Sequence, residues 1–187
     1  RYGFRSEAWL PAYGMAEATL MISCGPQGKG FAVLPADAEA LHRHRVADAR
    51  AGDAGAVELV GCGQVSAGME VAVVDPETTQ RCGGGEIGEL WIAGASVAKG
   101  YWNRAEQTRE AFGARIAGTN EGPYLRTGDL GYVRDGWVFV TGRLKDLIII
   151  GGRNFYPQDI EATVERCHGA LSAGTAAAFS VEQGNLE

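Results

Sequence analysis

The sequence predicts an α+β fold in which mixed sheets are combined with helices. Three observations support this class: short segments with β alternation follow one another from Val60 onwards, a helix-period segment begins at Pro157, and the chain has no internal repeat. Of the 187 residues, 45% are hydrophobic and 21% are charged, which supplies a core and excludes wholesale disorder. The 28 glycines show no collagen-like period, so they indicate tight turns and close backbone contacts.

The charge balance and the spacing of cysteines and histidines exclude several classes of function. Seventeen basic and 23 acidic residues give a net charge of −6, which argues against a nucleic-acid partner. No apolar run approaches the roughly 18 residues of a membrane span. The four cysteines form no C-x-x-C pair, and His42 and His44 have no third ligand nearby, so a zinc site is not indicated. We expect a cytoplasmic protein with reduced cysteines.

The first 60 residues carry the weaker secondary-structure signals. Glu17–Ile22 predicts a short helix or a buried segment behind a glycine turn. Residues 28–60 are rich in Ala, Asp, Arg and Gly, and they predict a surface insertion or a short helix around Asp37–Val46. The loop Arg50–Gly55 closes this region.

The middle of the chain predicts two strands and a helix. Met69–Val74 alternates enough to predict a strand, and Gly88–Ala93 predicts a second strand. In that second strand Leu90 and Ile92 would point to one face, and Glu89 and Trp91 to the other. Glu106–Phe112 predicts a short helix, with Asn103 as its possible N-cap.

The last third predicts a hairpin, two strands and a helix. Asp135-Gly136 supplies the positive φ angles of a two-residue hairpin turn between alternating segments. Leu147–Ile150 predicts a buried strand, and Pro157–Cys167 predicts a helix with proline in its first turn. Thr175–Val181 predicts one further strand.

Two glycine-anchored segments carry residue types suited to a nucleotide. In Tyr13–Thr19, an aromatic ring beside Gly14 can cover a flat base, and the Glu17 carboxylate can hold Mg²⁺. In Tyr124–Leu130, Asp129 follows a Thr-Gly turn and can accept both hydroxyls of a ribose. A core tyrosine with a surface glutamate, and a turn-forming aspartate, are the structural alternatives.

Two further segments complete the set. Gly88–Trp102 has the pattern of a strand followed by a glycine turn, which favours a scaffold over a site. In Gly142–Asp146, the Arg143 guanidinium suits phosphate or ribose oxygens, and a solvated linker is the alternative. The dense charges between two apolar strands predict a loop at a domain boundary.

In order and spacing, the four segments resemble the adenylate-forming superfamily of acyl-CoA synthetases, nonribosomal adenylation domains, luciferase and fatty-acyl-AMP ligases. The likeness extends from Gly3 to about Ala178. Within the superfamily, the phrases at 10–20 and 152–161 and the extra segment at 28–60 are most similar to the fatty-acyl-AMP ligases.

The resemblance implies a domain division and a role for each candidate residue. Residues 1–144 would be the C-terminal part of the large AMP-binding domain, with an insertion at about 28–60, and 145–187 the hinge and start of the small domain. The implied roles are adenine packing for Tyr13, lining of the acyl-adenylate pocket for Gly14 and Met15, Mg²⁺ binding and catalysis for Glu17, ribose binding for Asp129, ribose and phosphate contacts for Arg143, and a catalytic hinge position for Lys145.

The resemblance also implies a reaction. A fatty carboxylate would attack the α-phosphate of ATP with Mg²⁺ as cofactor, pyrophosphate would leave, and the acyl group would pass to the phosphopantetheine thiol of an acyl carrier protein. The family's phosphate loop and C-terminal lysine are not found in these 187 residues, so we expect the isolated chain to lack adenylation activity.

Two other functions stay open at this point. One is a CoA-forming acyl synthetase of the same fold, and the other is a non-catalytic nucleotide-binding or docking module. An ordered element at 28–60, packed at the domain junction, would favour the AMP ligase because it would restrain the domain rotation that CoA use requires.

Overall fold

A computed structural model describes residues 3–181 of the chain. Within that range runs of three or four strands are each followed by an α-helix. In chain order the elements are β1 (Ala12–Met15), β2 (Leu20–Cys24), β3 (Val33–Asp37), α1 (Ala38–Leu41), β4 (Ala56–Val60), β5 (Gln64–Val65), β6 (Met69–Val74), β7 (Gly88–Gly94), α2 (Ala105–Phe112), β8 (Leu125–Arg134), β9 (Trp137–Arg143), β10 (Ile148–Ile150), β11 (Arg153–Phe155) and α3 (Pro157–Arg166).

A seven-stranded sheet organises the molecule, with the strand order β1-β2-β5-β9-β8-β7-β6. Its pairs are antiparallel, as are the two-stranded sheets β3-β4 and β10-β11. The α+β class is confirmed. The sequence predicts mixed sheets, whereas all the strand pairs in the described part of the chain are antiparallel.

The core lies on both faces of the large sheet. Leu90 and Ile92 of β7 pack with Val138 on one face, while Trp91 packs with Tyr124 on the other. The alternation predicted for this segment is confirmed, and both sets of side chains are buried because β7 is covered on each side.

The β8–β9 hairpin has the predicted turn. Asp135 and Gly136 adopt φ angles of 52° and 78°, which is the left-handed conformation that a two-residue primed turn requires. The strands predicted at Met69–Val74 and Gly88–Ala93 are also present, as is the helix that begins at Pro157. Leu147–Ile150 forms a strand at Ile148–Ile150, but the prediction that it is buried is wrong, because Ile149 and Ile150 are 64% and 56% exposed.

The segment at 28–60 is an ordered β-hairpin, which the sequence did not predict. Strands β3 and β4 pair over five residues each, and α1 lies between them. The helix expected over Asp37–Val46 is only Ala38–Leu41. It begins where the Asp37 carboxylate accepts a hydrogen bond from the Ala40 N–H at 2.8 Å, and it cannot continue through His44, whose φ is 54°.

Other local predictions require correction. Glu17–Ile22 is not one helix: a 3₁₀ turn at Ala16–Ala18 precedes β2, because positive φ angles at Thr19 and Leu20 end the turn. Asn103 is not the cap of α2. Its φ is 53°, and Arg104 occupies the N-cap position.

The strand predicted at Thr175–Val181 is absent from the described residues. The backbone N–H groups of Gly174 and Thr175 donate to the Glu165 carboxylate at 2.6 and 3.0 Å, and that of Ala178 donates to Glu161 at 2.9 Å. This segment therefore lies along α3, with its donors bound to helix side chains instead of a strand partner. No helix within residues 3–181 is long and apolar enough to cross a bilayer.

Candidate functional site

Tyr13 is placed by an irregular pairing of β1 with β2. The register shifts between Tyr13 and Gly14, and a Cβ atom at Gly14 would overlap the carbonyl oxygen of Leu20. Glycine is therefore required at this close approach. Met15 follows at the end of β1 and packs against the core cluster around Ile22.

The structure brings together three of the predicted site residues, although Tyr13 and Asp129 are 116 positions apart. The Tyr13 hydroxyl donates to Asp129 Oδ2 at 2.8 Å, and Arg143 Nε donates to Asp129 Oδ1 at 3.2 Å. Asp129 and Arg143 are also cross-strand partners on β8 and β9. The carboxylate thus lies between a neutral donor and a cation.

Burial differs sharply across this group. Tyr13 is 9% exposed, the Asp129 side chain 13%, and the Arg143 side chain 71%. Burial raises the pKa of Tyr13 most, and the Asp129 charge raises it further. The phenol therefore stays protonated and donates at physiological pH. A ligand reaching Asp129 would approach past the solvent-facing guanidinium.

Asp129 is presented by a bulge in β8. Glu89 pairs with Leu130 and Trp91 pairs with Arg126, so residues 127–129 lie opposite Leu90 alone. Within the bulge, the Thr127 hydroxyl donates to the Leu90 carbonyl at 2.7 Å and accepts from the Asp129 N–H at 3.0 Å. The bulge interrupts the pairing of β8 with β7 at Asp129, while Asp129 keeps its partner Arg143 on β9.

Glu17 lies on the 3₁₀ turn after β1 and contacts a different loop. The Tyr101 hydroxyl donates to Glu17 Oε1 at 2.8 Å, and the Tyr101 ring lies edge-on against Phe112 at 5.1 Å. Burial and the Glu17 carboxylate raise the pKa of Tyr101. Sequence analysis missed Tyr101, whose only signal was its place in a segment that favoured a scaffold.

A Mg²⁺ ion in this site would have few protein ligands. No cluster of three or more His, Cys, Asp or Glu side chains occurs in the described range. Mg²⁺ is commonly held by one or two carboxylates together with substrate phosphates, and a half-buried Glu17 satisfies that pattern.

Lys145 is exposed in a turn two residues beyond Arg143. The Leu144 N–H donates to the Gly128 carbonyl at 2.8 Å, which attaches this turn to the bulge that carries Asp129. Lys145 therefore lies next to the three-residue group in sequence and on a segment bonded to it.

A second group of contacts joins the β3–β4 hairpin region to β11. Arg153 Nη2 donates to Glu39 Oε1 at 2.6 Å and lies 3.1 Å from His42 Nδ1. The backbone N–H and side-chain amide of Asn154 both donate to the His42 carbonyl, at 3.1 and 3.0 Å. The His42 and Phe155 rings are 5.0 Å apart. We call these five residues the junction cluster.

A medium-chain-fatty-acid–[acyl-carrier-protein] ligase, JamA of Moorena producens (strain JHB), is 48% identical over 97% of the chain. A relative from Mycobacterium leprae (strain TN), a fatty-acid–CoA ligase by name, fadD21, is 40% identical over 97% of the chain. The chain spans 31% of the length of each relative.

Solved structures give the same grouping. The crystal structure of a fatty acyl-adenylate ligase from L. pneumophila, in complex with acyl adenylate and pyrophosphate, is 43% identical with a TM-score of 0.72. The match covers 97% of this chain and 31% of that one. The model of the AMP-binding enzyme family matches residues 3–102, more than half of the chain. The chain belongs to the AMP-binding enzyme family.

Proposed function

We propose that the chain acts as part of an ATP-dependent fatty-acyl-AMP ligase. In this reaction a fatty carboxylate attacks the α-phosphate of ATP, the bond to pyrophosphate breaks, and acyl-AMP and pyrophosphate are formed. The hydrogen-bonded group of Tyr13, Asp129 and Arg143 in a chain of the AMP-binding family is the observation that carries this proposal. The names of the similar ligases support the fatty-acid substrate.

The chain's own residues would bind and orient the nucleotide. Asp129 has lone pairs beyond those used by Tyr13 and Arg143, so it can accept ribose hydroxyls. Arg143 would contact ribose and phosphate oxygens, Tyr13 would pack on adenine, and Gly14 and Met15 would line the acyl-adenylate pocket. Positioning and charge neutralisation of this kind supply most of the catalysis in phosphoryl chemistry.

Glu17 would hold the metal ion. Mg²⁺, when bound, would neutralise negative charge on the phosphates and so favour attack at the α-phosphorus. Tyr101 would keep the Glu17 carboxylate in place through its 2.8 Å hydrogen bond.

The acceptor of the acyl group is proposed to be an acyl-carrier-protein thiol, and the compartment the cytoplasm, where ATP is available. The domain boundary would fall at residues 144/145, with Lys145 at the hinge. The junction cluster favours this acceptor over CoA, because an ordered hairpin at residues 33–60 contacts the residues just after the hinge. Such contacts would restrain rotation of the small domain.

A substitution of the ribose-binding carboxylate tests the reaction. In the intact protein with ATP, Mg²⁺ and a fatty acid, Asp129→Asn should lower kcat/KM for ATP by about tenfold to a hundredfold, because a hydrogen bond to a charged acceptor is lost. Asp53→Asn, in an exposed loop, is the matched control. Pyrophosphate release is the readout, and equal rates for both variants would refute the assignment of Asp129.

CoA ligation is the second candidate because several similar proteins are named as fatty-acid–CoA ligases. If the junction cluster restrains the hinge, Arg153→Ala should raise any acyl-CoA formation by the intact protein. A wild-type protein that converts acyl-AMP rapidly to acyl-CoA would select the CoA ligase. A folded protein that forms neither product would select the non-catalytic module.

A further inference from the structure

Glu89 is a buried carboxylate that none of the proposed steps uses. Its side chain is 2% exposed, and among residues 3–181 it is the only acidic or basic residue that is buried. Burial of an ionised group is costly unless partners compensate it, and well-packed apolar residues of similar volume are often as stable. Its presence as the second residue of β7 therefore requires an explanation beyond packing.

Four donors surround the Glu89 carboxylate. Oε2 accepts from Trp91 Nε1 at 2.9 Å and from Arg126 Nε and Nη2 at 3.0 and 2.8 Å, and Oε1 accepts from the Gly128 N–H at 3.0 Å. The Arg126 guanidinium also lies 5.4 Å from the centre of the Trp91 ring. The charge is thus paired with a cation and both oxygens are bonded.

Two of the groups bonded to Glu89 belong to the segment that carries Asp129. Three residues of β8, 127–129, lie opposite Leu90, so they cannot all pair with β7 in the ordinary ladder. Glu89 binds the bulge at Gly128 and the residue just before it, Arg126, and the Leu90 carbonyl binds the bulge at Thr127. Gly128 has a φ of 73°, so the N–H that Glu89 receives comes from a left-handed residue.

The bulge in turn fixes Asp129. The Asp129 N–H donates to the Thr127 hydroxyl at 3.0 Å, and its carboxylate is bonded by Tyr13 and Arg143. A shift of Arg126 or Gly128 would therefore displace the one carboxylate in the site that is proposed to read the ribose.

We propose that Glu89 is a positioning residue for nucleotide binding, which holds the 127–129 bulge so that Asp129 meets the ribose hydroxyls. The proposal rests on the proposed role of Asp129. It predicts that Glu89 affects recognition of the ribose more than it affects binding of the rest of the nucleotide.

The test measures binding of AMP and of 2′,3′-dideoxy-AMP to the intact protein by calorimetry. Glu89→Gln keeps the side-chain shape but removes the charge and turns an amide toward N–H donors. Thr127→Val removes the hydroxyl that joins the bulge to Leu90, and serves if Glu89→Gln does not fold. Glu70→Gln on the adjacent strand β6 is the control, because Glu70 is exposed and contacts Tyr124 and Arg81.

Wild-type protein should prefer AMP over the dideoxy nucleotide by at least about tenfold, since the dideoxy nucleotide has no ribose hydroxyls to donate to the charged Asp129 carboxylate. Glu89→Gln and Thr127→Val should reduce this preference by about tenfold and leave dideoxy-AMP affinity within about twofold, while Glu70→Gln changes neither. A folded Glu89→Gln protein with the wild-type preference would overturn the proposal. So would an unfolded Glu89→Gln protein together with a Thr127→Val protein that keeps the preference, or a wild type without any preference.

A second measurement on the same protein distinguishes the positioning role of Glu89 from the proposed ligase activity. Acyl-AMP formation from ATP and a fatty acid is measured alongside binding. A protein that discriminates the ribose hydroxyls through Glu89 but forms no acyl-AMP refutes the ligase and supports the positioning role. A protein that forms acyl-AMP with unchanged ribose preference in Glu89→Gln does the reverse.

Discussion

The Asp129 carboxylate lies between a neutral phenol and a solvent-facing guanidinium, and these two partners differ in how they respond to pH. Arginine keeps its charge over the accessible range. Tyr13 loses its proton at high pH, and because its pKa is raised in the folded protein, that loss destabilises the folded state.

Stability should fall above about pH 10, partly because of Tyr13. In that range the unfolded chain has released the phenol proton and the folded chain still holds it, so the free energy of unfolding decreases as pH rises. Below about pH 10 the contribution is fully present. Tyr13→Phe should show a weaker decline between pH 10 and 11.5, measured by urea titration. Parallel declines in both proteins would contradict the assigned shift.

Gly14 should tolerate no side chain. Gly14→Ala would place a Cβ atom on the Leu20 carbonyl oxygen, so we expect a loss of about 1–3 kcal/mol in the free energy of unfolding from the forced backbone shift. Gly55→Ala is the control, because open space surrounds that position. Denaturant melts compare the two, and equal stabilities would show that the β1–β2 bulge relaxes without cost.

Tyr101 should matter for the metal ion more than for the fold. Tyr101→Phe keeps the ring against Phe112 and removes the hydroxyl that bonds Glu17, leaving the carboxylate less well placed. We expect the Mg²⁺ concentration at half-maximal pyrophosphate release to rise by about threefold to tenfold, from the loss of about 1 kcal/mol. An unchanged Mg²⁺ dependence would mean that Glu17 is placed without Tyr101.

Among the elements, local patterns predict those whose pairing is local. Met69–Val74 and the β8–β9 hairpin follow from alternation and from the Asp135-Gly136 turn. The β3–β4 hairpin was missed because its strands pair across about 20 residues, and Pro35 within β3 weakens the strand signal. The strand predicted at Thr175–Val181 is absent for a different reason. An apolar segment forms a strand only where another strand is available to pair with it.

The junction cluster should stabilise β10–β11 through Arg153. Both side chains of the Arg153–Glu39 pair are about half exposed, so the pair itself is worth no more than about 0.5–1 kcal/mol. Arg153→Ala should speed amide exchange at Asn154 and Phe155, and high salt should reduce the difference from wild type. Arg50→Ala, in the loop between β3 and β4, is the control. Exchange that is equal in all three proteins would exclude a role for Arg153 at the junction.

For the whole molecule, the sequence indicated which residue types form the candidate site but not how they meet. The order of the four glycine-anchored segments pointed to Tyr13, Glu17, Asp129 and Arg143, and three of these are bonded together in the structure. Three strands, β2, β5 and β9, separate β1 from β8 in the sheet, so the contact between Tyr13 and Asp129 is a tertiary feature that no local pattern specifies. The sequence did not predict a role for Glu89, because a glutamate in a strand is usually exposed to solvent.

The proposed fatty-acyl-AMP ligase activity is tested most directly by identifying the molecule to which the acyl group is transferred. The intact protein is given ATP, Mg²⁺, a fatty acid, CoA and a phosphopantetheinylated acyl carrier protein, and the products are identified by mass spectrometry. We expect acyl-AMP to form first and the acylated carrier protein to follow, with little acyl-CoA. Acyl-CoA as the main product, or no adenylate from folded protein, would contradict it.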